Sequence, residues 1–149
     1  MAYELKINNL AELQAAFKKS PKIIGKELET ATKNAGKLIL KTEKEEVPVR
    51  TATLKRSITM DYRPISVAIY PTVKYALPVH EGSKPHTITP VRKKVLAFKI
   101  GGKKVFARRV NHPGNKPNKF VDRTVSKTDR GVNNLFDKAL DAVIKFLAK

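Results

Sequence analysis

The sequence predicts an α+β fold, in which a small antiparallel twisted sheet with a basic β-hairpin is packed by a long N-terminal helix and a C-terminal helix. Apolar residues recur at helical spacing before residue 46 and after residue 118, and they alternate at strand spacing between residues 54 and 110. A length of 149 residues suits one hydrophobic core. We therefore expect a single domain that is helical over residues 1–46, forms sheet and loops over 54–110, and is helical over 118–149.

The N-terminal region is predicted to hold two helices. A short one begins near Leu10 and stops at Ser20-Pro21, because serine caps helices well and proline suits the first turn of a new one. The second runs from about Pro21 to Glu46. Its apolar stripe is narrow and consists of Ile24, Leu28, Ala31, Ala35, Leu38 and Thr42. Gly25 and Gly36 would allow another element to approach closely.

Strand spacing begins after Pro48. Residues 57–62 and 66–70 alternate between apolar and polar, which predicts two antiparallel strands joined through Arg63-Pro64. Residues 73–79 are a third extended candidate, at an edge because of Pro78. Residues 95–100 and 103–110 flank Gly101-Gly102 and predict a hairpin with a tight turn.

Two helices are expected at the C-terminal end. Asn118 or Asp122 begins a short one, and Asp129 or Asn133 begins the last one, which runs to Lys149. The apolar residues of this last helix recur at helical spacing: Leu135, Phe136, Leu140, Val143, Ile144 and Leu147.

The charge is strongly positive and concentrated in the middle of the chain. The sequence has 31 lysines and arginines against 13 acidic residues, a formal net charge of +18, and residues 82–121 include eleven basic residues and no acidic one. On or beside the predicted hairpin lie Arg92, Lys93, Lys94, Lys99, Lys103, Lys104, Arg108 and Arg109. Such a ribbon could follow a phosphate backbone, dock on acidic protein surfaces, or be a solvated face.

The hairpin lacks the aromatic interleaving of a platform for single-stranded nucleic acid. Its only aromatic residues are Phe98 and Phe106. Both alternate with charged residues, so we expect both to face the core.

Residues that could perform catalysis are scarce. The chain has no cysteine, and no glycine-rich phosphate loop joins a strand to a helix. Each of its three histidines lies in a predicted loop, within two positions of a proline or a glycine. We therefore expect no catalytic site, no metal site and no cofactor. The start of the chain does not have a signal-peptide pattern and no window reaches the length of a membrane span, so we expect synthesis in a cytoplasm and no membrane partner.

Three segments, taken in order, resemble the tail-completion or tail-terminator proteins of long-tailed phages. Residues 47–58 resemble that family's pattern of a Pro-Val turn, a Thr-Gly pair, and Leu-Arg and Ser-Ile entering a strand, with Ala52 in place of the glycine. Residues 75–82 resemble its Tyr-Ala, acidic, Gly signature, followed by residues 84–90 and 96–98. Residues 105–121 contain a His-Pro-Gly turn and a Pro-to-Phe helix entry similar to those of the family.

The resemblance implies a structural virion protein of the head-to-tail neck. Such proteins form rings, usually hexameric, that complete or terminate the tail tube, join it to the head-side connector or stopper protein, and leave a channel for DNA. The loops over residues 82–94 and 111–119 would contact neighbours, and the interface candidates are Glu81, Gly82, His86, Pro90, Asn111, His112, Pro113 and Gly114. The basic residues Arg92, Lys93, Lys94, Lys103, Lys104, Arg108 and Arg109 would face DNA or an acidic partner.

Two other classes remain open from the residues themselves. The charge also suits a stand-alone basic protein that binds nucleic acid, although no binding fold is recognisable. A toxin-like ribonuclease using His80, His86 or His112 would need a histidine pair at catalytic spacing, and the sequence has none.

Overall fold

The computed structural model describes residues 10–91 and 94–148. Its elements follow the order α1 Leu10–Glu46, α2 Thr53–Ser57, β1 Ile58–Arg63, β2 Ser66–Pro71, α3 Ala76–Glu81, β3 His86–Ile88, β4 Leu96–Ile100, β5 Lys103–Ala107, β6 Val110–His112 and α4 Phe120–Leu147. This order confirms the predicted α+β class. No helix among the described residues is both long enough and apolar enough to cross a membrane.

The chain divides into two compact units. The first contains the residues up to Thr72 together with those from Phe120 onwards, and the second contains Val73–Lys119. The second unit therefore interrupts the first in sequence, between β2 and α4. The single domain that the length suggests stays a prediction.

In the first unit, α1 and α4 pack along each other in antiparallel directions. Leu38 of α1 lies against Gly131 of α4, where its Cδ2 is 2.8 Å from the position that a Cβ would occupy. Ala31 and Ala35 are buried from the predicted stripe of α1, and Phe120, Thr124, Thr128 and Ala139 are buried from α4. The two threonine hydroxyls donate to the backbone carbonyls of Phe120 and Thr124, which satisfies them inside the interface.

Both predicted helix breaks are wrong. α1 continues through Ser20-Pro21, because proline already has a helical φ and removes only one backbone hydrogen bond, a loss that packing further along the helix can offset. α4 is one helix from Phe120 through Gly131. Gly131 is retained inside it because its missing side chain makes room for Leu38.

The β1–β2 hairpin packs on α1, as the alternation predicts. Its register pairs Met60 with Ile69 and Tyr62 with Val67, so these side chains share one face. A Cβ on Gly36 would lie 2.7 Å from Val67 Cγ2 and 2.9 Å from Met60 Sδ, which confirms the close approach expected there. The same expectation is wrong for Gly25, which has no atom within 4 Å of that position.

An ion-pair cluster joins the end of α1 to the start of α4. The Glu46 carboxylate accepts hydrogen bonds from Lys127 and from Arg123 Nε, the latter at 2.9 Å. Arg123 also donates to the backbone carbonyl of Glu46 at 3.0 Å, which satisfies an acceptor at the helix end. The side-chain hydrogen bonds from Lys127 and then Arg123 lower the pKa of Glu46 below its usual value.

The turn that follows α1 leads into α2, a short helix that the sequence did not predict. Ala52, directly before α2, has φ 57° and ψ 6°, which is left-handed backbone. Leu54, two residues later, is buried. The residue that replaces the family's glycine therefore adopts the conformation that glycine would favour.

The second unit begins with a helix where the sequence predicted an extended segment. The prediction of a strand over residues 73–79 is wrong, because α3 occupies Ala76–Glu81. Pro78 is the third residue of this helix, where an amide hydrogen has no partner within the helix in any case. The remaining strands form two antiparallel pairs, β3 with β6 and β4 with β5, so the described strands of the whole chain make three two-stranded sheets.

Candidate functional site

Two of the predicted contact loops of the second unit pair with each other. Ser83 and Asn115 exchange two backbone hydrogen bonds of 3.0 Å each. Gly82 and Gly114 flank this bridge at φ 81° and 84°, and a Cβ on either would collide with the backbone opposite. Both glycines are therefore required by the close approach of the two loops, while the expectation that the loops contact neighbours stays a prediction.

The bridge continues into the β3–β6 pair, which was not predicted. His86 lies opposite His112 in the register, and the two rings stack with centroids 5.1 Å apart. His86 Nδ1 lies 2.9 Å from the Lys84 carbonyl, and His112 Nδ1 accepts the Gly114 amide at 3.0 Å. Asn111 accepts a hydrogen bond from Thr87 across the strands at 3.0 Å.

An ion pair between Glu81 and Lys119 joins the end of α3 to the last residue of the second unit. Glu81 accepts a hydrogen bond from Lys119 and lies 2.7 Å from His80 Nδ1. The hydrogen bond from Lys119 and then the one with His80 lower the pKa of Glu81 below its usual value. Glu81, Gly82, His86, Asn111, His112 and Gly114 thus form one connected cluster, with Pro113 in the loop after β6 and Pro90 just beyond β3.

The β4–β5 hairpin is the most basic surface of this unit. Lys94, Lys103, Lys104, Arg108 and Arg109 are all exposed, while Arg92 and Lys93 lie outside the described residues. Gly101 and Gly102 both have positive φ, as a tight two-residue hairpin turn requires. The predicted hairpin is confirmed, with its second strand ending at Ala107 and not at Val110.

The turn also fixes which side chains share a face. The register pairs Phe98 with Val105 and Ala97 with Phe106, so the two phenylalanines lie on opposite faces. Phe98 is half-buried, but Phe106 is 64% exposed, and the expectation that both face a core is wrong for Phe106. Phe106 shares its face with Lys99 and Lys104, which pair with each other. A two-residue Gly-Gly turn implies this register, so the sequence did contain the signal.

The first unit contains an apolar groove of about 220 Å³ between α1 and α4, which was not predicted from the sequence. It is lined by Ile24, Glu27 and Leu28 of α1 and by Phe136, Ala139, Leu140 and Val143 of α4. Leu140 is 59% exposed and Ile144, one turn further, is 52% exposed. The sequence places these residues on an apolar face, but it does not indicate that α1 leaves part of that face uncovered.

The polar side chains of the cluster in the second unit are engaged mainly with one another and with the backbone. Within residues 10–91 and 94–148 no three acidic or histidine side chains are grouped so that they could hold a metal ion. The histidines of the β3–β6 pair are engaged with backbone groups, as side chains that hold two strands together are.

Comparison with known protein families identifies the N-terminal half of the chain as similar to a phage protein family. A family model described as "Bacteriophage HK97-gp10, putative tail-component" matches residues 11–82, which comprise α1, the turn at Ala52, the β1–β2 hairpin and α3. Neither the curated proteins nor the solved structures include a significant match. The match of residues 11–82 to the HK97-gp10-like family of bacteriophage tail components confirms the resemblance to tailed-phage tail proteins over this part of the chain.

Proposed function

We propose that this protein is a non-enzymatic virion component of the head-to-tail neck of a tailed phage. Copies of the chain form a ring, with six copies as the expected number, that completes or terminates the tail tube. The ring joins the tube to the head-side connector or stopper protein and leaves a channel through which DNA passes. The observation that carries this proposal is the match of residues 11–82 to a family of phage tail components.

The open strand edges support assembly. Each of the three described sheets has two strands, so every strand has one edge without a partner strand in its sheet. Exposed edges of this kind favour pairing with another chain unless they are covered or charged. A ring of neighbouring copies would cover such edges, and it would stabilise the protomer by mass action.

The charge of the second unit supports a place beside DNA or beside acidic virion proteins. Val73–Lys119 contains twelve basic residues and one acidic residue, Glu81. Glu81 is already neutralised locally by Lys119. The field of this unit is therefore strongly positive and attracts phosphate or carboxylate groups within about one Debye length, roughly 8 Å at physiological salt.

A stop codon in the gene tests the proposal. We expect infection with such a phage to yield DNA-filled heads and separate tails that do not join, because the ring that mates them is missing. Wild-type protein supplied from a plasmid restores joined particles. Electron microscopy of the lysate distinguishes the outcomes, and joined, infectious virions without the protein would contradict the neck assignment.

A second candidate function is direct binding of nucleic acid, which one observation favours. Phe106 is exposed on the same hairpin face as Lys99 and Lys104, and an aromatic ring beside cations can stack on a base while the cations contact phosphates. If this is the function, Phe106→Ala weakens binding to a single-stranded oligonucleotide by about 1 to 3 kcal/mol. Fluorescence anisotropy at several salt concentrations measures it, with Ile65→Ala as the exposed apolar control.

A further inference from the structure

The groove between α1 and α4 has room for one aromatic side chain. A cavity of about 150 Å³ lined by apolar residues takes up benzene, and the groove measures about 220 Å³. Its exposed members on α4 are Phe136 and Leu140, and Ile144 follows Leu140 one turn later, so the apolar surface extends along α4 beyond the groove. A surface of this kind favours an apolar ligand or partner side chain.

The charges beside the groove are acidic, in a chain that is otherwise strongly basic. Glu27 lines it, and Asp137 and Asp141 are exposed on α4 one position after Phe136 and Leu140. At about 100° per residue, these aspartates lie on the same side of α4 as Ile144. Lys138 and Lys145 lie about 200° and 180° from Phe136, on the far side of the helix. Arg130 shares the acidic side but lies roughly 9 Å from Phe136 along the axis.

This charge pattern disfavours pairing of two identical grooves. A two-fold contact along α4 centred on Leu140 would bring Asp137 of one copy near Asp141 of the other, and like charges at an interface are repulsive. The occupant should instead present an apolar group between cations. Among the described residues of this chain, the β4–β5 hairpin has that combination, with exposed Phe106 on the face of Lys99 and Lys104.

We infer that the β4–β5 hairpin of one copy docks into the α1–α4 groove of a neighbouring copy, with Phe106 in the groove and Lys99 and Lys104 facing Glu27, Asp137 and Asp141. The contact uses two different surfaces of the same chain, so it is heterologous and closes into a ring when the rotation between copies allows it. It rests on the ring assembly proposed above, and it names the surfaces that such an assembly would use.

Cysteine cross-linking tests the contact directly, because the native chain has no cysteine. The variant carrying Phe106→Cys and Leu140→Cys is assembled, alone and with its cognate tail tube, then oxidised and separated by non-reducing electrophoresis. We expect a ladder of covalent multimers. The control carrying Ile65→Cys and Leu140→Cys, in which the first cysteine lies in the β1–β2 turn, is expected to give far less product. A disulfide confined to the monomer, or equal ladders from both variants, would overturn the inference.

Charge and apolar variants give a second readout, the self-association constant from sedimentation. Phe106→Ala is expected to weaken association about thirtyfold, as loss of a central anchor does. Lys99→Glu with Lys104→Glu is expected to weaken it about tenfold, and adding Asp137→Lys with Asp141→Lys to recover most of that loss. Unchanged association together with lost oligonucleotide binding would overturn the docking in favour of a nucleic-acid contact.

Failure of this inference is distinguishable from failure of the proposed function. If wild-type protein forms rings while the Phe106–Leu140 pair does not cross-link, the docking is wrong and the ring remains. If wild-type protein stays monomeric even on tails, the neck proposal fails first and the docking with it.

Discussion

At the residue scale, the turn between α1 and α2 retains an unfavourable backbone conformation. Ala52 has φ 57°, and it is the only residue other than glycine with positive φ in the part of the chain that the structure describes. Left-handed backbone costs a residue with a side chain about 1 to 2 kcal/mol. The neighbouring structure holds it in place, because Arg56 N donates to the Ala52 carbonyl at 2.9 Å and Leu54 is buried beside the turn.

Replacing this alanine with glycine should therefore stabilise the protein. We expect Ala52→Gly to raise the free energy of unfolding by about 1 kcal/mol, since the relief of strain exceeds the added freedom of the unfolded chain. Ala68→Gly in β2 is the matched control and is expected to lower it, because Ala68 has no positive φ. Urea denaturation measures both, and a loss of stability in Ala52→Gly would contradict the strain argument.

At the element scale, α1 provides two glycines in contrasting surroundings. Gly25 is exposed with open space around it, whereas Gly36 is buried against Val67 and Met60. Gly25→Ala is expected to stabilise the protein by about 0.5 to 1 kcal/mol through helix propensity. Gly36→Ala gains the same propensity but overpacks the contact with β2 at a cost of about 1 to 3 kcal/mol, so its net effect is destabilising. Thermal unfolding of the pair checks the opposite signs, and two stabilised variants would show that β1–β2 does not pack tightly on α1.

The junction of α1 and α4 should make stability depend on pH. Lys127 and Arg123 lower the pKa of Glu46 in the folded protein below the usual 4.5. Its contribution is therefore complete above pH 4.5 and is lost as the pH falls through the lowered value. We expect Glu46→Gln to lower Tm at pH 7, with the difference from wild type disappearing in acid. Glu45→Gln, at an exposed neighbour, is the control, and a difference that grows in acid would refute this role.

The sequence predicts elements well where the decisive information is local, and poorly where packing decides. The β1–β2 and β4–β5 hairpins follow from alternation and turn residues close in sequence. The breaks predicted at Pro21 and within α4 were wrong. α1 and α4 are far apart in sequence but pack together, and this packing keeps α1 helical through Pro21 and α4 helical through Gly131. For the same reason the groove could not be predicted, since it depends on which parts of two apolar faces remain uncovered.

At the scale of the whole molecule, the family match and most of the net charge lie in different parts of the chain. The family match spans residues 11–82, mostly in the first unit, while Val73–Lys119, with twelve basic residues and one acidic residue, contributes +11 of the formal net charge of +18. The interface candidates of the second unit are held by one another, from Glu81 with Lys119 to His86 with His112. Surfaces that are held by such contacts before binding suit the proposed assembly with neighbouring copies, because little ordering is then required on association.

The proposed assembly of this chain into a ring at the end of the tail is tested by the mass of the protein in solution. Light scattering at two salt concentrations, with and without the cognate tail tube, compares the assembly with the 16.7 kDa of one chain. We predict a closed ring near six times that mass, or a monomer that becomes a ring only on the tube. A monomer that does not bind tails but binds DNA with a steep salt dependence would contradict ring assembly, and nucleic-acid binding through its positive charge would then be its function.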